Sequence, residues 1–139
     1  MSEQRNADVP SYLLDTTVLI DYLRGHAEVR ARLHALLEEG HELAVCAVSV
    51  AEVFAGLREK DRDATTRFLS TLKYFDLSFD VARVAGEYQY AFARRGRALK
   101  LTDVLIGASA LAEDTSLLTN NVKDFPLPGL RVERLPSGR

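Results

Sequence analysis

Tyr12-Leu13-Leu14-Asp15-Thr16-Thr17-Val18-Leu19-Ile20-Asp21-Tyr22-Leu23 decides the fold class. A short apolar run ends on a carboxylate, two threonines offer helix caps, and an apolar-periodic segment follows until Gly25 stops it. This is a buried strand turning directly into a helix, and the pattern recurs along the chain. Residues 27–39 predict a second helix with Val29, Leu33, Leu36 and Leu37 on one face and Gly40 as its stop. Residues 43–47 are dense, short and β-compatible, and Ser49 then opens a helix with Val50, Val53, Phe54 and Leu57 as its stripe. A polar helix over 61–71 and a strand over 74–77 come next. Ser78 caps a long helix to about Arg95, which Gly96 breaks. Thr102 caps an apolar helix over 103–113, and strands follow over 116–119 and 130–132. Short strands alternating with helices pair in parallel through crossovers, so the expectation is a three-layer α/β domain with a short, mainly parallel sheet flanked by helices.

The chain has 139 residues, 47% of them hydrophobic, which suits one domain over 1–139 with a core of about 12–133 and tails at 1–11 and 134–139. The polar, acidic start does not resemble a signal peptide, and no apolar run approaches the roughly 20 residues of a membrane span. A soluble, cytoplasmic protein without a membrane partner is expected. The single cysteine, Cys46, lies in an apolar run, which excludes an internal disulfide framework and a multi-cysteine zinc site. His26, His34 and His41 fall on or beside the polar second helix and read as surface residues. The net charge of −2 speaks mildly against a general nucleic-acid coat, yet 14 of the 18 cations are arginine, the residue suited to bidentate phosphate contact.

Three carboxylates stand out. Asp15 ends an apolar strand, where open α/β sheets gather their chemistry, but it also suits a helix N-cap. Glu52 completes a Ser49-x-x-Glu52 capping box, yet it falls opposite the apolar stripe among Ala51, Ala55 and Gly56, small residues that leave room for an ion or a second backbone. Asp103 belongs to a helix that is apolar or small around nearly its whole circumference. A carboxylate there needs a partner, and Gly107 and Ala110 leave space on its face. With no cysteine cluster and no placed histidine, the available ligands are hard oxygens, which suit Mg²⁺ or Mn²⁺. Neither a Walker A loop nor a Gly-x-Gly-x-x-Gly step is present.

Four segments carry a resemblance. Leu14-Asp15-Thr16-Thr17-Val18-Leu19-Ile20-Asp21, residues 48–57, Leu101-Thr102-Asp103-Val104-Leu105-Ile106-Gly107-Ala108 and Leu118-Thr119-Asn120-Asn121-Val122-Lys123-Asp124-Phe125 resemble, in order and spacing, the motifs of PIN-domain nucleases of the VapC toxin type. The resemblance implies a Mg²⁺- or Mn²⁺-dependent endoribonuclease that arrests translation by cutting structured RNA such as tRNA or rRNA. It implies Asp15, Glu52 and Asp103 as the acidic triad, with Asp15 and Asp103 as direct metal ligands. Thr16, Thr17 and Asn121 would support them. Asn121, with Asp124 three residues later, occupies the place where the family often has a fourth acid, and an amide brings no charge there. It also implies a homodimer or a hetero-oligomer with a cognate VapB-like antitoxin whose segment fills the acidic groove. The apolar stripes of residues 27–39 and 50–57 could receive such a partner or simply pack in the core.

Arg94, Arg95, Arg97 and Lys100 precede Asp103 and are candidate RNA-phosphate contacts, although cations at a helix C-terminus also satisfy its dipole unaided. Tyr88, Tyr90 and Phe92 have the spacing of packing residues. Two rivals remain open: a PIN-fold module that binds RNA or protein without cutting, and a receiver-like phospho-acceptor domain. The receiver is disfavoured because its acceptor position falls on Glu52, inside a helix pattern.

Overall fold

The structure, a computed structural model, describes residues 11–135. The expected tail residues 1–10 and 136–139 lie outside these, whereas Ser11 and Arg134 are strand residues and Leu135 is buried. In chain order the elements are β1 (Ser11–Leu14), α1 (Thr16–Leu23), α2 (Ala27–Glu38), β2 (Glu42–Cys46), α3 (Ala47–Ala55), α4 (Arg62–Ser70), β3 (Lys73–Phe75), α5 (Phe79–Arg94), α6 (Leu101–Ala112), β4 (Ser116–Thr119) and β5 (Val132–Arg134). The five strands form one sheet in the order β3-β2-β1-β4-β5, and every neighbouring pair is parallel.

Parallel sheets are covered on both faces, and the strands show why they must be. Along β1, Tyr12 and Leu14 enter the core under α1 and α2, while Leu13 enters the opposite core beneath α6. On β2, Leu43 and Val45 face the first side, and Ala44 and Cys46 face the second. Leu118 and Leu117 divide in the same way on β4. A third cluster, around Ala85, Phe92, Leu99, Val104, Ala108 and Leu127, joins α5 to the outer side of α6. Helix α6 is thus sandwiched, and its small residues permit it. Ile106, Gly107, Ala108, Ser109 and Ala110 are all buried, and full burial of a side chain such as Ile106 contributes about 2 kcal/mol.

Several expected boundaries move. Thr16 is the first helical residue and Asp15 the cap, its carboxylate accepting from the Thr16 N–H at 2.8 Å. Helix α3 starts at Ala47 with Cys46 as its cap, so Ser49 lies inside it and no capping box forms. Lys100, rather than Thr102, precedes α6, and the Thr102 hydroxyl is buried with no hydrogen-bond partner. Strand β3 stops at Phe75, and β5 begins two residues later than the pattern suggested. Leu37, expected on the core face of α2, is half exposed, because Leu33 and Leu36 already complete that stripe. His34 is exposed, but His26 and His41 are half-buried, and His41 tilts against Tyr12. Ser78 does cap α5, accepting from Val81 N–H at 3.1 Å, and Gly25 and Gly96 take the positive φ of helix stops.

The strand order places the site. From β1 the chain steps outward to β2 and β3, then returns to the other side of β1 with β4 and β5. The crevice above β1 and β4 is therefore the topological switch point, where ligands of open α/β sheets bind. A receiver domain has the order 2-1-3-4-5. This sheet does not, and Glu52 lies on a helix rather than at a strand end.

Candidate active site

Asp15 leaves the C-terminal end of β1, and its backbone N–H donates to Leu118 of β4 at 3.0 Å. Its side chain is 4% exposed, so its carboxylate is held by donors instead of water. Oδ1 accepts from the Thr16 N–H at 2.8 Å; Oδ2 accepts from the hydroxyl of Thr119 at 2.7 Å and is 3.1 Å from that of Thr17. Burial pushes its pKa up, the three hydrogen bonds pull it back, and the negative charge of Glu52 raises it again.

Glu52, in the middle of α3, turns toward α1. Its Oε1 accepts from the Thr16 hydroxyl at 2.6 Å, and Thr16 Oγ1 is also 2.8 Å from Ser49 Oγ. Thr16 is therefore the link between the first two acids, bonded through its backbone to Asp15 and through its side chain to Glu52.

Asp103 stands in the first turn of α6, half-buried. Burial, first, and the charge of Asp15, second, lift its pKa to about 6; Lys100 opposes this, and the charges of Asp124 and Glu52 add to it. Carboxylates from α1's cap, α3 and α6 thus sense one another at one edge of the sheet. Like charges gathered in this way are held against their own repulsion, a condition that a cation relieves. Every donor in the set is a hard oxygen, the chemistry that suits Mg²⁺ or Mn²⁺. Among the described residues no three His, Cys, Asp or Glu side chains already form a closed metal-binding group.

The fourth segment differs in detail from its reading as sequence. Asn121 is exposed, and the bond it makes into the site is from its backbone N–H to Thr119 Oγ1 at 3.0 Å. Its neighbour Asn120 points inward, with Oδ1 3.1 Å from the Thr17 hydroxyl and Nδ2 3.4 Å from Oδ2 of Asp21. Asp124 is exposed on a 3₁₀ turn, Val122–Asp124, and reaches Asp103 through its charge.

The four cations separate into two pairs. Arg97 donates to the backbone carbonyl of Lys123 at 2.7 Å, which ties it to the turn beside the site, and Lys100 acts on Asp103. Arg94 and Arg95 lie over the rings of Tyr90 and Phe92 on their own helix. Phe92 is core, as its spacing suggested, but Tyr90 is 63% exposed.

Sequence reasoning assigned no site role to Thr119, Asn120, Ser49 and Asp21. Asp21 left a usable signal: one helical turn beyond Val18 it falls on the buried stripe of α1, and it is fully buried there. The space assigned to the Asp103 face at Gly107 is filled instead, since a Cβ on Gly107 would stand 2.8 Å from Leu127 Cδ1. Cys46 is buried and its thiol pKa pushed up by that burial, which leaves it an unreactive core residue.

The sequence matches the PIN domain family over residues 12–126. It is 34% identical over 115 residues to Ribonuclease VapC19 of Mycobacterium tuberculosis, covering 83% of this chain and 92% of that protein. The structure is similar to that of VapBC2 from Rickettsia felis bound to a DNA fragment from its promoter, with a TM-score of 0.77, 27% identity and coverage of 88% and 97% of the two chains. It is also similar to a toxin–antitoxin complex from Klebsiella pneumoniae, with a TM-score of 0.70, 31% identity and coverage of 86% and 95%.

Proposed function

The chain belongs to the PIN-domain family and is of the VapC type, and from that premise we propose that it is a divalent-metal-dependent endoribonuclease, the toxin of a toxin–antitoxin pair. One observation carries the reading: three separate elements bring Asp15, Glu52 and Asp103 together at the switch point of the sheet, with Thr16 bonded to both Asp15 and Glu52 and the charges of Asp15 and Glu52 bearing on Asp103. The ribonuclease named among its relatives supports RNA as substrate, and structured RNA such as tRNA or rRNA is the proposed class.

In this mechanism Asp15 and Asp103 would hold the cation through their carboxylate oxygens. A bound Mg²⁺ or Mn²⁺ supplies charge stabilisation at the scissile phosphate and a more acidic water. Glu52 has Oε1 engaged by Thr16, so Oε2 is the atom that orients an attacking water and takes its proton. Thr16, Thr17 and Thr119 fix the carboxylates in place. Asn121 and Asp124 belong to the rim, and Arg97 and Lys100, more than Arg94 and Arg95, guide the RNA backbone toward Asp103.

The complexes among its structural relatives support a cognate VapB-like antitoxin as partner in a toxin–antitoxin hetero-oligomer, and a homodimer of the chain is the alternative assembly. No helix of the described residues is long and apolar enough to cross a membrane, and the cytoplasm, where the RNA lies, is the proposed location. The test is cleavage of a structured RNA by the purified full chain with Mg²⁺ or Mn²⁺, its loss in Asp15→Asn, and growth arrest on expression that Asp103→Ala relieves. Equal cleavage in excess EDTA would overturn the metal mechanism, and RNA binding without cleavage would favour a non-cleaving module.

A further inference from the structure

Behind Asp15 lies a chain of hydrogen-bonding groups that ends on a carboxylate buried in α1. Asp21 is 0% exposed, and a carboxyl group in such a place must be matched by hydrogen-bond partners. One of them is the Nδ2 amide of Asn120, 3.4 Å from Asp21 Oδ2. A side-chain amide has one donor end and one acceptor end. With Nδ2 turned to Asp21, Oδ1 of Asn120 is the end that faces the Thr17 hydroxyl, at 3.1 Å. That hydroxyl lies at the same 3.1 Å from Oδ2 of Asp15. It carries one hydrogen and can give it to only one of the two.

We infer that Asn120, oriented by Asp21, is a positioning residue that gives the Thr17 hydroxyl a second acceptor and so readies Asp15 Oδ2 for a divalent cation. The inference rests on the proposal that Asp15 is a cation ligand. Oδ2 already accepts from Thr119 at 2.7 Å. With the Thr17 hydrogen on it as well, its lone pairs are engaged and the approaching side carries a proton. Once Thr17 swings its hydrogen to Asn120 Oδ1, a lone pair of Oδ2 is released, and the hydroxyl oxygen turns its own lone pairs toward the same space. The turn requires an oxygen on Asn120 at that point. Were the amide reversed, its N–H would oblige Thr17 to keep donating to Asp15. Asp21 prevents the reversal, and Arg134 helps fix the segment by donating to the Asn120 carbonyl at 3.2 Å.

The experiment is a Mn²⁺ titration of the full chain without RNA, followed by calorimetry or by the loss of the free-ion EPR signal. Asn120→Ala is expected to weaken Mn²⁺ binding about tenfold, the usual scale for residues that orient a ligand. At saturating Mn²⁺ its KM for RNA should stay within about twofold of wild type. In a Thr17→Val background the same substitution should change Mn²⁺ affinity less than about twofold, because the hydroxyl through which it acts is gone. Asp21→Asn, which still offers an oxygen to Asn120 Nδ2, should bind Mn²⁺ nearly as wild type. Asn120→Ala with wild-type affinity, or a tenfold loss that persists without the Thr17 hydroxyl, would overturn the inference and leave the metal reading intact. Wild-type protein that binds no Mn²⁺ would remove both.

Discussion

Thr119 Oγ1 donates to Oδ2 of Asp15 at 2.7 Å, from the last residue of β4 to the residue that follows β1. The same hydroxyl accepts from the Asn121 N–H at 3.0 Å. One small side chain therefore fixes both the orientation of the first acid and the course of the chain beyond β4. Thr119→Val keeps the shape and deletes the bonds. It should lower stability by about 2 kcal/mol, the worth of a hydrogen bond to a charged group, and reduce cleavage, while Thr119→Ser should restore most of both. Urea unfolding and initial rates on one RNA check this, and a Val variant as active as wild type would remove Thr119 from the site.

Asp15→Asn should separate activity from stability. The carboxylate is buried and its charged form disfavoured, so a neutral isostere relieves a desolvation penalty while Thr17 and Thr119 can rotate to accept from the new amide. Cleavage should vanish, and the metal-free protein at pH 7 should gain on the order of 1 kcal/mol. A melting temperature that falls along with activity would indicate that the variant has merely damaged the fold.

The pH dependence of the metal-free protein follows from Asp103. Its folded pKa is raised from 3.8 to about 6. The stability it contributes is thus fully present below about pH 4 and is lost as pH rises through about 6. Allowing for solvent screening at a half-buried site, the loss is about 1 kcal/mol. Asp103→Asn should lack this component, and subtracting the two stability curves from pH 4 to pH 7 isolates it. Divalent ion should flatten the wild-type curve, since a cation favours the ionised form. Identical curves for variant and wild type would show that Asp103 is not perturbed.

How much of this was legible in the sequence depended on the range of the interaction. β1, β4 and the interior character of α6 could be read from local pattern, because a strand buried on both faces must be apolar throughout. Asp15 and Asp103 stood out for the same reason, as charges in apolar surroundings. The capping box at Ser49 and Glu52 misled because it is a local rule, and a partner 36 residues away, Thr16, outbid it with a 2.6 Å bond. Asn120 and Asn121 are identical in type and adjacent. Which one points inward is set by Thr17 and Asp21, and no local pattern carries that information.

Gly107 and Gly86 make a paired test of packing. Both are helical, and replacing either by alanine gains about 1 kcal/mol of helix propensity. On Gly86 a new Cβ meets open space, so Gly86→Ala should stabilise by about that amount. On Gly107 the Cβ would stand 2.8 Å from Leu127 Cδ1 and 3.3 Å from Leu130 Cδ2. Overpacking there costs about 2 kcal/mol, so Gly107→Ala should be destabilising by about 1 kcal/mol. Chemical denaturation of the two variants should give opposite signs. A stabilising Gly107→Ala would mean that Leu127 yields freely and that the space beside Asp103 is real.

The cations ahead of Asp103 should not contribute equally to RNA binding. Arg97 is fastened to the Lys123 carbonyl, next to Asp124, and Lys100 acts on Asp103, so both stand close to the acidic residues. Arg94 and Arg95 are engaged over Tyr90 and Phe92, further back along α5. Each phosphate neutralised releases counterions, so deleting a true contact makes the salt dependence of binding shallower, by at least about 0.7 in log–log slope, the single-strand figure, and by more where the RNA is paired. Arg97→Ala combined with Lys100→Ala should therefore weaken RNA binding and reduce the slope by at least about 1.4. Arg94→Ala with Arg95→Ala should leave the slope nearly unchanged. The measurement is fluorescence anisotropy between 50 and 200 mM salt, with Asp15→Asn as the common background to prevent cleavage. An equal loss of slope in the two pairs would return all four residues to the RNA-binding surface. A loss confined to Arg94 and Arg95 would move the RNA path to the far end of α5 and away from Asp103.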